Sequence, residues 1–192
     1  MRLPSTARDI AAAYPNSAPI AHKIVEVAKR QGIADPGWLA NLINFESAGR
    51  WSSSVQNPNS GATGLIQFMP STARGMGTTT EYLASLSELE QMDWVEEYIA
   101  GRIKSHGPLN SHIDLYMAIF YPVSIGNPDY QFPSNVVAAN NGIQTPRQYA
   151  AKADERSKLP YDDNVIGSGG FNWWWLAAGA ALLIGVASMD WE

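Results

Sequence analysis

A mainly α-helical domain followed by a single membrane-spanning helix is the fold the sequence predicts, on three observations. No stretch of the 192 residues shows sustained period-two alternation, the mark of half-buried strands. Helix-start and helix-stop residues recur at short intervals up to about residue 157. From Asn164 to Met189 there is no charge, and Phe171–Met189 is almost wholly apolar or small. Those nineteen residues would rise about 28 Å as a helix, close to the thickness of a bilayer core. The expected organisation is a domain over 1–157, a flexible linker over 158–170 and a transmembrane helix over 171–189. Trp173-Trp174-Trp175 and Trp191 suit its two interfaces.

Taken in order, Thr6–Tyr14 reads as a short helix stopped by Pro15. Asn16 or Ser17 is expected to cap a second helix that runs to about Gln31, with Gly32 ending it. Asp35-Pro36 opens a third helix, as N-cap and first-turn proline. Gly49 to Gly64 is dense in turn formers and reads as loop. Pro70–Gly75 is a short helix, and Thr78-Thr79-Thr80 precedes another. Ser87-x-x-Glu90 is a capping box for a helix reaching about Lys104, which Gly107-Pro108 breaks. Ser111-x-x-Asp114 caps a helix ending near Tyr121-Pro122. Val123–Pro133 reads as loop, and Thr145-Pro146 starts a last helix to about Ser157. Leu159–Gly170 reads as a tether.

Composition removes several function classes. A net charge of −5 with no basic block offers no footprint for nucleic acid. With no cysteine there is no disulfide, thiol nucleophile or thiolate-bound metal. His22, His106 and His112 lack metal-ligand spacing. Neither a phosphate-binding loop nor a dinucleotide fingerprint occurs. No metal and no cofactor is expected.

The third helix carries the chemistry. Leu39, Leu42, Ile43 and Glu46 fall at i, i+3, i+4 and i+7, so they share one stripe. Three are apolar, and the fourth is a carboxylate placed where the helix meets the core. Burial disfavours its ionised form, and a carboxylic acid kept protonated near neutral pH can act as a general acid. The next acidic residue is Glu81, so the segment just past Glu46 supplies no second carboxylate of the kind that most glycosidases use. Asp93, Glu96, Glu97, Asp114 and Asp129 remain open as fold-dependent partners. A single acid acting in both halves of the reaction is the economical reading.

Phe45-Glu46-Ser47, followed by Ser60-Gly61-Ala62-Thr63-Gly64-Leu65-Ile66-Gln67-Phe68-Met69-Pro70-Ser71-Thr72-Ala73, resembles the soluble lytic transglycosylase family of the lysozyme superfamily. Gly75–Thr80, Leu115–Pro122 and Asn141-Gly142-Ile143 look like the version found in bacteriophage virion and tail proteins. The resemblance covers roughly residues 20–156. It implies a lysozyme-like domain that cuts peptidoglycan between N-acetylmuramic acid and N-acetylglucosamine, leaving a 1,6-anhydro end. Glu46 matches the family's catalytic acid. Ser60, Gly61, Gly64, Gln67, Met69, Tyr116 and Tyr121 are the implied substrate-binding positions, with the backbone at Gly61, Ala62 and Gly64 approaching the sugar. Two departures stand out. Pro58 occupies a position that is commonly Ser in the family, leaving Ser60 or Asn57 as partner to Glu46. Ala118-Ile119-Phe120-Tyr121-Pro122 replaces Ala-Tyr-Asn-Ala-Gly, so the tyrosine's role falls to Tyr121 or Tyr116.

The expected partners are peptidoglycan strands, a lipid membrane through residues 171–189, and other virion proteins. The opening residues are expected to carry no export signal, and Lys152, Arg156 and Lys158 precede the apolar stretch, so the expected orientation is a cytoplasmic domain at assembly. A virion membrane acquired from the host cytoplasmic membrane reconciles that orientation with an extracytoplasmic substrate. The alternatives are an inner-membrane enzyme facing the periplasm, a hydrolytic muramidase, and a structural virion protein whose domain only binds glycan.

Overall fold

The computed structural model describes residues 3–161, and every regular element among them is helical. The helices are α1 (Ala7–Ala13), α2 (Ala21–Arg30), α3 (Pro36–Glu46), α4 (Pro70–Gly75), α5 (Thr80–Ser85), α6 (Glu88–His106), α7 (His112–Phe120), α8 (Ser134–Ala139) and α9 (Pro146–Asp154), with 3-10 turns at Pro15–Ser17 and Pro122–Ser124. Extended pairing is limited to isolated antiparallel bridges, Gln56 with Thr63 and Thr63 with Phe68.

Local chemistry sets most boundaries. The side chains of Asp35, Thr79, Ser87, Ser111 and Thr145 each accept a hydrogen bond from a backbone N–H in the first turn of their helix. Ser87 and Glu90 close a reciprocal capping box. Ser111 and Asp114 do not: Asp114 instead accepts from the Asn110 and Gly126 amides, tying α7 to the loop beyond it. The second helix begins later than expected. Ser17 is fully buried, and its hydroxyl donates to the Tyr14 carbonyl, so it ends a 3-10 turn rather than capping α2. The sequence reading also passed over α8, a short helix with no buried residue and no side-chain cap.

Helix α3 is the hub. It packs against α2, α7 and α9, and each of its residues is buried except half-buried Asn44. A helix apolar on nearly every side belongs in an interior, where each fully buried Leu or Ile contributes about 1.5–3 kcal/mol. Two polar residues on α3 lock the surrounding chain. Asn41 Oδ1 accepts from the Tyr14 hydroxyl at 2.6 Å and from the Leu159 amide at 3.3 Å, while Nδ2 donates to the Leu159 carbonyl at 2.8 Å. Asn44 Nδ2 donates to the Arg156 carbonyl at 3.1 Å, and its Oδ1 accepts from Trp51 Nε1 at 3.2 Å.

These bonds correct the expected boundary between domain and linker. Residues 158–161 pack into the domain: the Lys158 amide donates to the Tyr14 hydroxyl at 2.7 Å, Leu159 is buried, and the Tyr161 ring lies 4.0 Å from His112. Linker character fails here because Leu159 and Tyr161 find apolar and polar partners that only the assembled fold provides. Among the described residues no helix is long and apolar enough to cross a membrane, and the expected linker beyond Tyr161 and the 171–189 span lie outside them.

Replacing Asn41 by Ala removes one side of three bonds and strands buried partners. The Asn41→Ala variant is expected to lose about 2–4 kcal/mol in denaturant unfolding, with hydrogen exchange accelerating at the Lys158 and Leu159 amides.

Candidate active site

Glu46 is the last residue of α3, and the chain reverses immediately after it. Ala48 and Trp51 adopt left-handed backbone with φ of 52° and 56°. Buried Ser47 holds that reversal: its hydroxyl accepts from the Trp51 amide at 3.1 Å, and Trp51 packs its ring 5.2 Å from Tyr14. Phe45, on the other side, lies edge-on to Tyr116 and Tyr149 at 6.1 and 6.0 Å. Apolar packing before the acid and a hydroxyl-stapled turn after it leave its side chain little freedom.

A small pocket opens beside the carboxyl, lined by Glu46, Asn57, Ala62, Gln67, Met69, Ile119, Phe120 and Tyr149. It encloses a cavity of about 40 Å³, room for water or a hydroxymethyl group. Glu46 is 8 % exposed. Burial pushes its pKa up to about 8, opposed by the nearby Tyr149 hydroxyl. Its place at a helix C-terminus disfavours negative charge in the same direction. The side chain is therefore a neutral acid at pH 7.

The loop over 52–69 forms the facing wall, and a buried glutamine from α6 holds it. Gln91 Oε1 accepts from the Leu65 amide at 2.7 Å, and Nε2 donates to the carbonyls of Ser53 and Leu83 at 3.1 and 2.8 Å. Gly64, with φ of +86°, lies so close that a Cβ there would stand 2.6 Å from Gln91 Nε2. Its lack of a side chain thus serves this packing. Gln67 has left-handed backbone, φ 54°, and its Nε2 donates to the Gly64 carbonyl at 3.0 Å. A non-glycine residue held there stores strain, which the surrounding loop must enforce.

Of the positions expected from the sequence, Glu46, Gln67 and Met69 meet at the pocket. Asn57, the alternative to Ser60, lines it too; Ser60 does not, and its hydroxyl accepts from the Ala62 amide within the loop. Gly61 packs near Pro70, and Gly64 backs onto Gln91, so neither is among the lining residues. Tyr116 is buried behind the site, its hydroxyl 2.9 Å from that of Tyr161. Tyr121 joins Tyr130 and Phe132 in an aromatic cluster, away from the lining.

Sequence reasoning missed Tyr149. It stacks on Phe120 at 4.1 Å, and its buried hydroxyl is directed at Glu46 without closing a well-formed hydrogen bond to any partner. Its Thr145-Pro146 helix start was legible, but its proximity to Glu46 exists only in the fold. The other carboxylates stay outside the pocket. Asp93 pairs with Lys23, Glu96 with Arg30, and Asp129 with Arg147; Asp114 binds backbone amides, and Glu97 is exposed. Among the described residues no group of acidic and histidine side chains could hold a metal ion.

Compared with known proteins, the chain matches no family model, no curated protein and no solved structure.

Two outcomes follow from this geometry. A Gly64→Ala variant should lose about 1–3 kcal/mol in thermal unfolding, because its Cβ meets Gln91 and its φ is left-handed. For Glu46 the folded pKa of about 8 lies above the ordinary 4.5, so the folded state holds a proton that the unfolded chain releases. Its contribution to stability is fully present below the ordinary pKa and is lost as pH rises toward the folded one. Glu46→Gln lacks that loss. Urea unfolding should show the variant gaining on the parent between pH 5 and pH 8; parallel pH curves would refute a neutral buried Glu46.

Proposed function

We propose that this domain is a peptidoglycan lytic transglycosylase with a lysozyme-like arrangement, in which Glu46 serves as both acid and base. The observation that supports it is a single neutral carboxyl at the foot of a pocket shared with Asn57, Gln67 and Met69, with no second carboxylate there. The joint motif around Glu46 and Gly61–Ala73 points the same way.

The chemistry follows from one mobile proton. Neutral Glu46 protonates the oxygen between N-acetylmuramic acid and N-acetylglucosamine, and the C1–O bond breaks. The resulting carboxylate takes the proton of the muramoyl 6-hydroxyl as O6 bonds to C1. A 1,6-anhydro ring closes, Glu46 is neutral again and no water is consumed. An inverting hydrolase would need a second carboxylate to activate water on the opposite face, and a retaining one would ordinarily need a carboxylate nucleophile. The pocket supplies neither. The Tyr149 hydroxyl stands beside the Glu46 carboxyl, and Asn57 and Gln67 offer polar contacts to the sugar.

For location, the reading is a virion membrane protein that acts on the cell wall at entry. It rests on the uncharged stretch 164–189, the basic residues before it and the substrate's place outside the cytoplasmic membrane. Its absence from purified membrane-bearing particles would overturn that placement.

Digestion of purified peptidoglycan, read by mass spectrometry, tests the activity: anhydro-muramoyl ends are expected, and reducing ends would make it a muramidase. The rate should stay level through neutral pH and fall about tenfold per unit above the Glu46 pKa. Glu46→Gln should lower it by about 10³-fold or more while glycan binding persists. Binding without cleavage in the parent protein would favour the structural alternative.

A further inference from the structure

The segment following α9 braces the wall behind Glu46. Tyr161, at its end, lays its ring 4.0 Å from the His112 ring at a 30° tilt, and His112 lies edge-on to Trp38 and Tyr116. The Tyr161 hydroxyl meets the Tyr116 hydroxyl at 2.9 Å and Ser157 Oγ at 2.7 Å. Tyr116 stands edge-on to Phe45 at 6.1 Å and to Tyr149 at 6.3 Å. Those two are the chain neighbour of Glu46 and the hydroxyl aimed at it. A continuous aromatic path therefore runs from Tyr161 to the acid, and each link is a packed ring. The strap's backbone is pinned independently, through Tyr14 and Asn41 on α1's end and α3.

We propose that Tyr161 is a positioning residue for Glu46, acting through Tyr116: residues 157–161 form an outer strap that presses the aromatic wall against the acid and keeps water from that side of it. The proposal rests on Glu46 being the proton donor, and it enlarges the working site to a segment that the sequence assigns to a linker.

The physical reason is desolvation. Glu46 is neutral because it is almost wholly buried, and the groups that feel its charge include three uncharged tyrosines: Tyr149 from α9, Tyr98 from α6 and Tyr116 from α7. Two cations lie one layer further out, Arg102 over the Tyr98 ring and Arg156 over the Phe45 ring. No charged side chain lines the pocket beside it. On the strap side, Tyr161 faces Tyr116, His112, Asp154 and Ser157. Removing the Tyr161 ring leaves Tyr116 without its hydroxyl partner and uncovers His112. Phe45 and Tyr149 then gain room, water reaches the carboxyl, and ionisation becomes easier.

The test uses the full-length protein in detergent micelles and reads Glu46 directly. The infrared band of its protonated carboxyl, assigned by its disappearance in Glu46→Gln, is titrated in the parent, Tyr161→Ala and Tyr161→Phe. In Tyr161→Ala the midpoint is expected to fall by about one unit, a tenfold change in the proton equilibrium, and the fall-off of cleavage at high pH should move down with it. Tyr161→Phe keeps the ring over His112 and loses only the hydroxyl contacts, so its shift should be smaller and in the same direction. A midpoint unchanged in a folded Tyr161→Ala overturns the proposal, even if thermal stability drops, because a merely structural strap would lower stability alone. If Tyr161→Ala does not fold, an unchanged midpoint in Tyr161→Phe overturns it. The titration needs no turnover, so a parent protein that cleaves nothing would count against the transglycosylase reading and leave the strap to be judged on the band.

Discussion

One buried carboxyl at the end of a buried helix is the constraint on which the rest of this structure depends. Holding Glu46 neutral at pH 7 costs stability, because the unfolded chain would ionise it. The apolar flank of α3 offsets that cost: Leu39, Leu42 and Ile43 are fully buried on the same stripe. The helix that anchors the core also delivers the acid, so the site sits on a rigid element.

Around that acid the fold places neutral polar groups where charges would change its ionisation. A nearby cation would favour the carboxylate and a second carboxylate would share its proton, and neither lines the pocket. Asn57, Gln67 and the Tyr149 hydroxyl line it instead. The charged side chains pair elsewhere, as in Arg30 with Glu96 and Arg147 with Asp129. The Gln91 amide is a comparable device one layer further out, fixing the 52–69 loop through three backbone bonds with no charge.

The strap at 157–161 shows how a chain segment acquires a role from its neighbours. Its residues carry no periodicity, and Pro160 precedes a glycine-rich stretch, which is why the sequence reads as tether. What docks it is complementarity with Asn41, Tyr14, His112 and Tyr116, residues drawn from three other parts of the chain.

Local physics, which needs only a few neighbouring residues, was written in the sequence. It determined the mainly helical class, the starts of α3, α6, α7 and α9 from their caps and prolines, and the placement of Glu46 among Leu39, Leu42 and Ile43. Tertiary structure decided what depends on residues far apart meeting. It chose Tyr149 rather than Tyr116 or Tyr121 to face the acid, and Asn57 rather than Ser60 to line its pocket. It also set Gly64 against Gln91, turned Ser17 inward and docked residues 158–161. Helix periodicity and capping act over one or two turns, whereas burial and contact depend on how whole helices pack, and no short window of sequence contains that information.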